Sequence, residues 1–386
     1  MSSAMRKKKI SKYMKTLAIC FLVLLAFFCV ANLIKKDKDL SVTEKRTLAT
    51  FPNLTLTNVF DGSFSSDFED YASDQILGRD FFIRVRSGLS LALGKRESQG
   101  VYYCDNGYLM ERMDTVDEEQ LNETLSAICS FSDEVGIPSA LVLVPNAVSI
   151  YEDLLPSFAI TEDQGEWMEY IAAAVSDSVT FLNLSETLSS LADSGEQVYY
   201  YNDHHWTSAA AYAAYPVVAD ALGINADNTF TPLMVCDTFT GSLTSESGFC
   251  ARKYDKIYVY APDEEISYIV TDNSSHTKSA SIYDSESLSG TDPYEVFLGG
   301  NSSHVNIQTT NTEGGRLLVF KDSYFNCFLP FILSEYSEID IIDCRYYYDD
   351  IDSLLMEKDY DSILYFFNLN TFAEDTSLSL VLGGDE

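Results

Sequence analysis

The sequence predicts an α/β fold in which a doubly wound, mostly parallel sheet is covered by helices, and two observations lead to this class. Amphipathic stretches alternate with short, nearly continuous apolar runs, of which residues 140–144 form the clearest. Such unbroken runs are typical of strands that are covered on both faces, as in a parallel sheet. The composition, 46% hydrophobic and 22% charged over 386 residues, supplies the core that such a sheet needs.

The N-terminal segment has the charge pattern of a membrane helix that starts inside the cell. Residues 17–34 carry no charge, and their number approaches the roughly 20 needed to span a bilayer. Lys and Arg are more frequent before this segment than after it, so a cytoplasmic basic tail, 1–16, and export of the rest are predicted. Cleavage as a signal segment is the alternative, because Cys29 and Ala31 form a small-residue pair. The lysines after the apolar run favour an uncleaved anchor.

The chain after the anchor is predicted to form a stalk and then one extracytoplasmic domain. Residues 35–60 are polar and lack a helical period, which suits the stalk, and the domain is expected over 61–386. Two amphipathic helices, 65–75 and 79–93, are predicted at its start, because apolar residues recur there every three or four positions.

The rest of the domain shows the alternation expected for a doubly wound fold. Helices are predicted over 116–135, 164–176, 207–222, 324–336 and 350–358. Strands are predicted over 101–103, 108–110, 140–144, 179–184, 198–201, 316–320, 339–342 and 363–367. Residues 236–300, rich in Tyr and polar turns, are predicted to be an antiparallel insertion. Functional residues are therefore expected in loops beyond the carboxyl ends of the parallel strands.

Charge and cysteine spacing exclude several classes of function. The chain has 59 acidic and 25 basic residues, a formal net charge of −34 at pH 7. Phosphate backbones are bound by Lys and Arg, so such a surface repels nucleic acid. No CxxC pair occurs among the eight cysteines, which argues against a zinc knuckle or a dithiol redox site. Free buried thiols are expected, with disulfides as the alternative in an exported chain.

A cluster of ionisable and aromatic residues, Asp203-His204-His205-Trp206, follows the predicted strand 198–201. The chain has only four histidines, and two of them are adjacent here. An Asp beside a His fixes its tautomer and stabilises the imidazolium that forms when the His takes a proton. The cluster is therefore a candidate general base with its orienting carboxylate, and His204 and Trp206 are candidates for substrate contact. Simple packing, with the Asp as a helix cap, is the alternative.

A second candidate is Ser323, which lies where the predicted strand 316–320 turns into a helix through Lys321-Asp322. A serine at such a turn is exposed above the sheet, and its backbone N–H, assisted by the helix dipole, can help to hold an oxyanion. For this segment alone, an Asp-Ser pair that only caps the helix is the simpler interpretation. Combined with the Asp-His cluster at another strand end, it supplies the nucleophile, base and orienting group of acyl transfer.

An oxyanion site needs a second hydrogen-bond donor, and three asparagines at strand ends or turns are candidates. They are Asn301, Asn368 and Asn146. Asn301 is preferred because Gly299-Gly300 before it lets backbone N–H groups approach a ligand, and an ordinary turn is the alternative for all three. No metal site is predicted, since no third His or Cys lies at ligand spacing from the adjacent histidines.

At these residues the sequence resembles the DHHW family of exported proteins, named for the four residues 203–206. Further segments that match this family in the same order are Phe239-Thr240-Gly241-Ser242-Leu243, Phe297-Leu298-Gly299-Gly300-Asn301, Phe320-Lys321-Asp322-Ser323-Tyr324 and, after the anchor, Glu44-Lys45-Arg46. The resemblance covers roughly residues 40–370. More distantly the chain is similar to alginate O-acetyltransferases and SGNH-hydrolase-like proteins, in which an Asp-x-His-Trp motif precedes an Asp-Ser motif.

The resemblance implies an SGNH-hydrolase-like fold in which Ser323 is the nucleophile, His205 the general base and Asp203 the orienting group. His204 occupies the position that varies in the alginate-type motif, so an exchange of roles between the two histidines stays open. Lys321 replaces the Gly that usually precedes Asp-Ser, although the DHHW group carries Lys there. Lys321 is therefore a further candidate for substrate contact.

The expected function is transfer or removal of O-acetyl groups on a cell-surface polysaccharide through a Ser-His-Asp acyl-enzyme. No cofactor is expected. For a transferase, the resemblance implies a membrane-bound partner that passes acyl groups out of the cell. The 25 Tyr suit stacking on sugar rings. The alternative function is that of a non-catalytic glycan-binding or wall-assembly protein that keeps the fold.

Overall fold

The computed structural model describes residues 3–38, 40–41, 46–60, 62–264 and 266–383. The chain divides into two units, Met1–Leu93 and Gly94–Glu386. Of the sequence motif after the apolar segment, Glu44 and Lys45 lie outside the described residues.

One long helix dominates the first unit. Its elements are α1 (Ser3–Ile34), β1 (Leu40–Ser41), β2 (Arg46–Thr47), α2 (Leu56–Phe60), α3 (Ser63–Asp74) and α4 (Arg79–Ala92). Within α1 the stretch Lys12–Asn32, with a mean hydropathy of 2.5, is long and apolar enough to cross a membrane. β1 and β2 pair antiparallel. The predicted helices 65–75 and 79–93 correspond to α3 and α4.

Most strands of the second unit belong to a single sheet. They are β3 (Glu97–Ser98), β4 (Val101–Tyr103), β5 (Leu109–Glu111), β6 (Ser139–Val144), β7 (Thr180–Asn183), β8 (Phe230–Phe239), β9 (Asp255–Pro262), β10 (Tyr268–Asp272), β11 (Thr277–Ser279), β12 (His304–Thr309), β13 (Arg316–Lys321), β14 (Glu338–Ile342) and β15 (Ser362–Asn368). The main sheet has the order β11-β10-β12-β14-β13-β15-β6-β7. From β14 to β7 all neighbours run parallel, whereas β12, β10 and β11 are added antiparallel at one edge. The predicted mostly parallel sheet is confirmed.

Helices cover both faces of this sheet. They are α5 (Glu118–Val135), α6 (Ala147–Ile150), α7 (Gln164–Val175), α8 (Ser185–Asp193), α9 (Ser208–Leu222), α10 (Ser242–Ser247), α11 (Leu329–Ile332), α12 (Ile351–Glu357), α13 (Leu369–Glu374) and α14 (Ser377–Gly383). In β6, Val142 and Val144 belong to one core while Leu141 and Leu143 belong to the other. Buried residues of α8, α9 and α11 join the first core, and those of α5, α7 and α12 to α14 join the second. The fold is therefore doubly wound.

The predicted antiparallel insertion is present in two parts. β8 and β9 form a long hairpin outside the main sheet. β10 and β11 instead extend the main sheet beyond β12. The smaller sheet β3-β4-β5 contains the predicted hairpin, in which Asn106 and Gly107 turn with φ angles of 57° and 90°.

One predicted strand, 198–201, is absent from the main sheet. Tyr199 makes only an isolated antiparallel bridge with Trp206, and Tyr200 N donates to His205 O at 3.2 Å. The chain therefore reverses within this segment. The apolar run misled the prediction because Val198, Tyr199 and Tyr200 are all buried, although they pack within a tight loop.

The predicted helix 324–336 is also wrong as a continuous element. The chain forms a 3-10 turn over Ser323–Cys327, then α11, then a second 3-10 turn over Leu333–Glu335. Pro330 lies in the first turn of α11, lacks a backbone N–H, and so cannot continue a helix from the preceding turn. Elements this short carry little dipole, so the expected dipole assistance at Ser323 is small.

The cysteines are free thiols. Cys104, Cys327 and Cys344 are buried, Cys129 and Cys236 are half-buried, and Cys20, Cys29 and Cys250 are exposed. Burial raises the pKa of Cys104 and Cys327 to about 12, so both stay protonated at neutral pH.

Candidate active site

Ser323 lies at the carboxyl edge of the sheet, directly after β13. Asp322 fixes its turn, because one carboxylate oxygen accepts from Tyr324 N at 2.9 Å and the other from Asn368 N at 2.8 Å. The serine turn is thereby tied to the end of the neighbouring strand β15. The capping role considered for the Asp-Ser pair belongs to Asp322, while the Ser323 hydroxyl makes a separate contact.

That contact is with His205, which also binds Asp203. Nε2 of His205 lies 2.7 Å from Ser323 Oγ, and Nδ1 lies 2.5 Å from Asp203 Oδ1. The distances fit a neutral imidazole that donates Nδ1–H to the carboxylate and accepts the serine hydroxyl. Asp203 and His205 are only 2% and 6% exposed. The three residues named from the sequence therefore converge, and it is His205, not His204, that contacts the serine.

Backbone groups hold the Asp203 carboxylate in place. Oδ1 also accepts from His205 N at 3.0 Å, and Oδ2 accepts from Ser242 N at 2.9 Å. Gly241 approaches so closely that an added Cβ would lie 2.1 Å from Asp203 Cβ. Any side chain at position 241 would displace the carboxylate. The segment 239–243 thus packs directly around the acid.

The loop that carries the Asp-His cluster is anchored by Asp255, at the start of β9. Its Oδ1 accepts from Gln197 Nε2 at 2.8 Å and Tyr201 N at 2.9 Å, and its Oδ2 accepts from Asn202 N and Nδ2, both at 3.1 Å. Burial raises the pKa of Asp255 to about 6, while the hydrogen bonds from these donors oppose the rise. The β8-β9 hairpin, through Asp255, therefore positions the loop of the Asp-His cluster. From the sequence, a strand of the main sheet, 198–201, was expected to do so.

Aromatic rings fix the plane of the His205 imidazole. Tyr294 stacks on it with ring centroids 3.7 Å apart at 13°, and the Tyr294 hydroxyl donates to Ser323 O at 3.3 Å. The His204 ring also contacts the imidazole, at 3.9 Å. Trp206 is fully buried and donates from Nε1 to Tyr324 O at 3.0 Å, which ties the motif to the serine turn. Trp206 therefore has a structural contact in place of the substrate contact considered for it.

His204 lines a cavity of about 520 Å³ beside this site. Its Nδ1 is hydrogen bonded to Ser242 Oγ at 2.8 Å. Four carboxylates lie among the residues that line the cavity, and Arg345 and Asn368 also contribute to it. A larger cavity, about 820 Å³, lies at the amino ends of the strands and is lined by neither His nor Cys. Because ligands of α/β sheets bind at the carboxyl ends, the smaller cavity is the better candidate.

Lys321 is buried and is held by polar partners. Its Nζ donates to Asn301 Oδ1 at 2.8 Å and lies 3.4 Å from Asp343 Oδ2. Burial lowers the pKa of this amine, and the Asp343 carboxylate opposes that shift. Leu298, Gly299 and Gly300 all have positive φ angles, between 64° and 93°, so the chain before Asn301 turns tightly. The lysine thus fixes the carbonyl end of the Asn301 amide.

The other two asparagine candidates bind each other. Asn368 donates through Nδ2 to Val144 O and to Asn146 Oδ1, both at 3.1 Å, and Asn146 Nδ2 donates to Asn368 Oδ1 at 3.2 Å. Both Asn368 amide hydrogens are therefore engaged. Within the described ranges, the amide nitrogen of the exposed Asn301 makes no hydrogen bond.

Asp203, His204 and His205 also place three metal-ligand atoms within 4.8 Å of one another. No other group of this kind occurs in the part of the chain that the structure describes. Both ring nitrogens of His205 already have hydrogen-bond partners, which a metal would have to replace. The geometry fits a serine–histidine–aspartate relay better than a three-ligand metal centre.

Sequence reasoning missed four residues of this site: Gly241, Ser242, Tyr294 and Asp255. The sequence held a signal for Gly241 and Ser242, because the segment 239–243 is one of those that resemble the DHHW family in the same order along the chain. Tyr294 and Asp255 gave no signal, since their function follows from contacts with residues distant in sequence.

A protein-family model described as DHHW protein matches residues 140–342, more than half of the chain. No curated protein sequence matches the chain closely enough to count as a relative.

Solved structures match over most of their length. A DHHW family protein from Eubacterium siraeum superposes with a TM-score of 0.63 at 20% identity, covering 73% of this chain and 95% of that one. Bacillus cereus PatB1 gives 0.60 at 20% identity, with 70% and 97% coverage. PatB1 with a sulfonyl adduct gives 0.59 at 19% identity, again with 70% and 97% coverage. At these identities the likeness establishes a shared fold, which agrees with the predicted α/β class.

Replacement of Gly241 by Ala is expected to disable the site while the fold persists. The new Cβ would lie 2.1 to 2.5 Å from three Asp203 atoms, so the carboxylate must move away from His205. We expect the reaction of Ser323 with a sulfonyl fluoride, followed by mass spectrometry, to slow by about 10² or more. Gly88→Ala is the matched control, since an added Cβ there meets nothing within 4 Å. Equal labelling of both variants would contradict the assignment.

Replacement of Asp255 by Asn should change stability in a pH-dependent way. The folded pKa of Asp255 is about 6, above the ordinary value of about 3.9, so its protonation favours folding below about pH 4 and this contribution fades as pH rises to about 6. Asn does not titrate. The gap in free energy of unfolding between the native chain and Asp255→Asn should therefore be larger at pH 4 than at pH 7, by about 2 kcal/mol.

Urea unfolding in detergent, followed by circular dichroism at both pH values, measures this gap. Asp263→Asn is the control with the opposite sign, because hydrogen bonds from Thr229 and Thr231 lower the pKa of the exposed Asp263. A gap for Asp255→Asn that does not change with pH would contradict the raised pKa of Asp255.

Proposed function

The chain belongs to the DHHW protein family, and we propose that it is a membrane-anchored, extracytoplasmic O-acyl transferase or esterase that acts on a cell-surface polysaccharide. One observation carries this proposal. Ser323 Oγ lies 2.7 Å from His205 Nε2, and a buried carboxylate, Asp203, holds the opposite ring nitrogen at 2.5 Å. Nucleophile, base and orienting group are thus in hydrogen-bond reach before any ligand binds.

The first step forms an acyl-enzyme. His205 Nε2 takes the proton from Ser323 Oγ as the oxygen attacks the carbonyl carbon of an acetyl ester. Asp203 accepts the Nδ1–H bond and stabilises the imidazolium. The ester C–O bond then breaks, and the imidazolium returns the proton to the leaving alcohol oxygen. The product is an acetyl group bound to Ser323.

The second step releases the acetyl group. A sugar hydroxyl or a water molecule gives its proton to His205 as its oxygen attacks the acetyl carbon, and Ser323 leaves as the alcohol. Attack by a sugar gives transfer, and attack by water gives hydrolysis. The Ser323 backbone N–H and the amide of Asn301, which Lys321 orients, are the donors we propose for the oxyanion.

The location of the chemistry follows from the apolar helix. We place the N-terminus inside the cell, because six Lys or Arg residues precede the uncharged run 17–34 and three directly follow it. The reacting domain is then outside, where acetyl donors made in the cell do not reach it. A transferase therefore requires a membrane-bound partner that carries acyl groups outward.

The cavity beside His204 favours an uncharged or amino-bearing acceptor over a polyanionic glycan. Among the described residues that line it are four carboxylates, Glu111, Glu246, Glu374 and Asp375, and a single Lys or Arg, Arg345. Burial raises the pKa of Glu111, and the nearby carboxylates add to that effect. A glycan with a carboxylate or phosphate in each repeat would meet like charge here and over the whole chain, whose net charge is −34.

A non-catalytic glycan-binding protein is the second candidate. The observation that favours it is the weak oxyanion site, since both Asn368 amide hydrogens are used within the fold and Asn301 is exposed. Such a protein would retain the fold and the cavity without acyl-enzyme chemistry.

We expect incubation with an activated acetyl ester to leave an acetyl group on Ser323, detected by mass spectrometry of peptides. Ser323→Ala should abolish the adduct, and His205→Ala should slow its formation by about 10² to 10⁴, because the base is lost. His276→Ala is the matched control, an exposed histidine on another turn. Chelator should have no effect, whereas a metal centre at residues 203–205 predicts loss. An intact ester with folded protein would favour the binding protein.

Acceptor chemistry distinguishes transferase from esterase. With the acetyl-enzyme formed, we expect neutral and amino-bearing oligosaccharides to accelerate its loss and to gain acetyl groups, while a polyuronic oligosaccharide of equal length has little effect. Glu246→Gln and Glu374→Gln should reduce this preference by weakening the like-charge repulsion. Decay at one rate with every sugar would identify an esterase, and faster decay with the polyuronate would contradict the proposed acceptor class.

A further inference from the structure

The helix α4 of the first unit exposes an apolar stripe. Phe81, Val85 and Leu89 recur every four residues and are 65%, 41% and 60% exposed, and Phe82 and Leu93 widen the same face. Residues with this spacing lie on one side of a helix. The opposite side contains the buried Ser87. Apolar side chains of this size rarely remain in water as a continuous stripe, so the face requires a partner.

Arginines border the stripe on both sides. On a helical wheel of 100° per residue, the exposed apolar side chains fall within about 120°, with Arg84 about 60° beyond one end of this arc and Arg86 about 20° beyond the other. α4 as a whole has three Arg and one Asp, although the whole chain carries more than twice as many acidic as basic residues. An apolar stripe between arginines is the pattern of helices that lie in the interface of an anionic bilayer.

Contacts within the first unit place the beginning of α4 at the end of the apolar helix. Leu77 N donates to Asn32 Oδ1 at 2.7 Å, and the ring of Phe82 lies 6.4 Å from that of Phe28. Phe28 belongs to the stretch Lys12–Asn32, and Asn32 is its last residue. Lys35 Nζ donates to Gln75 O at 2.5 Å, close to the same point. If α1 spans the bilayer, these contacts put Phe82 at the level of the outer lipid surface.

We infer that α4 lies in the outer surface of the membrane, with its apolar stripe at the boundary between headgroups and acyl chains and with Arg84 and Arg86 on anionic lipid phosphates. The inference depends on α1 as an uncleaved anchor, and not on acyl transfer. The contact between α1 and α4 also argues for retention of α1, because cleavage near residue 31 would separate Phe28 from Phe82.

The lipid surface fits better than a protein as the occupant of the stripe. The stripe begins beside a residue that lies inside the apolar span, so lipid is already present at that depth. The flanking arginines also match the negative charge of phosphate headgroups.

Quenching of tryptophan by brominated lipid tests the placement. The full chain is inserted in vesicles of phosphatidylglycerol and dibromophosphatidylcholine, as Leu89→Trp or as Ser66→Trp, an exposed position on α3. Emission of the native Trp167 and Trp206 is subtracted with the unsubstituted chain. We expect bromolipid to quench the added emission at position 89 by roughly half or more and that at position 66 weakly. Equal quenching at the two positions would overturn the inference.

A second arm tests the arginines. In the Leu89→Trp chain, we replace both arginines, as Arg84→Gln and Arg86→Gln. In vesicles with phosphatidylglycerol, quenching of the added tryptophan should then fall toward the level seen in vesicles of phosphatidylcholine alone. No difference between the two lipids would overturn the anionic-lipid assignment. The intact mass of the vesicle-bound chain should show that residues 1–34 are retained. A mass that lacks these residues would also overturn the inference. Because Ser323→Ala serves equally well as the background, failure here is separate from failure of the proposed chemistry.

Discussion

The hydrogen bond between His205 and Ser323 joins residues 118 positions apart, and the second unit is arranged around the need to form it. Neither partner reaches the other by local structure. β13 ends in the serine turn, Asp322 ties that turn to β15, and the inserted hairpin supplies Asp255 to hold the loop of His205. Each support is buried and polar, so it constrains direction as well as distance, which a purely apolar core does not.

Local chemistry explains which parts of this arrangement the sequence could predict. The parallel strands were predictable because an apolar run covered on both faces is a property of the run itself, as in 140–144. The segment 198–201 is also a run of apolar and aromatic residues, but it has no partner strand in the main sheet, and Asp255, more than fifty residues later, holds the loop where it turns back. For the same reason the Asp-His cluster could be predicted, whereas its support by Asp255 and Tyr294 could not.

Charge distribution imposes a second constraint on the molecule. The chain has a net charge of −34, and some of its basic side chains are buried against a defined partner. Lys321 is buried against Asn301 and Asp343, and Arg345 forms two hydrogen bonds with Asp343 at 2.8 and 2.7 Å. Arg84 and Arg86 of α4 differ from these two residues, because their side chains are exposed and lie beside an apolar stripe. Placing them at a phosphate surface accounts for both features with one partner.

Under the proposed function, attachment to a membrane also changes what the cavity must achieve. A soluble enzyme has to capture its glycan from dilute solution, whereas a tethered one meets surface glycans and a membrane-bound acyl donor at high effective concentration. Tight ground-state binding would then add little to the rate, since only interactions stronger in the transition state accelerate the chemical step. An acidic cavity such as the one beside His204 is adequate under these conditions. The strict geometry is found instead where the proposed mechanism develops charge, at Asp203, His205 and Ser323.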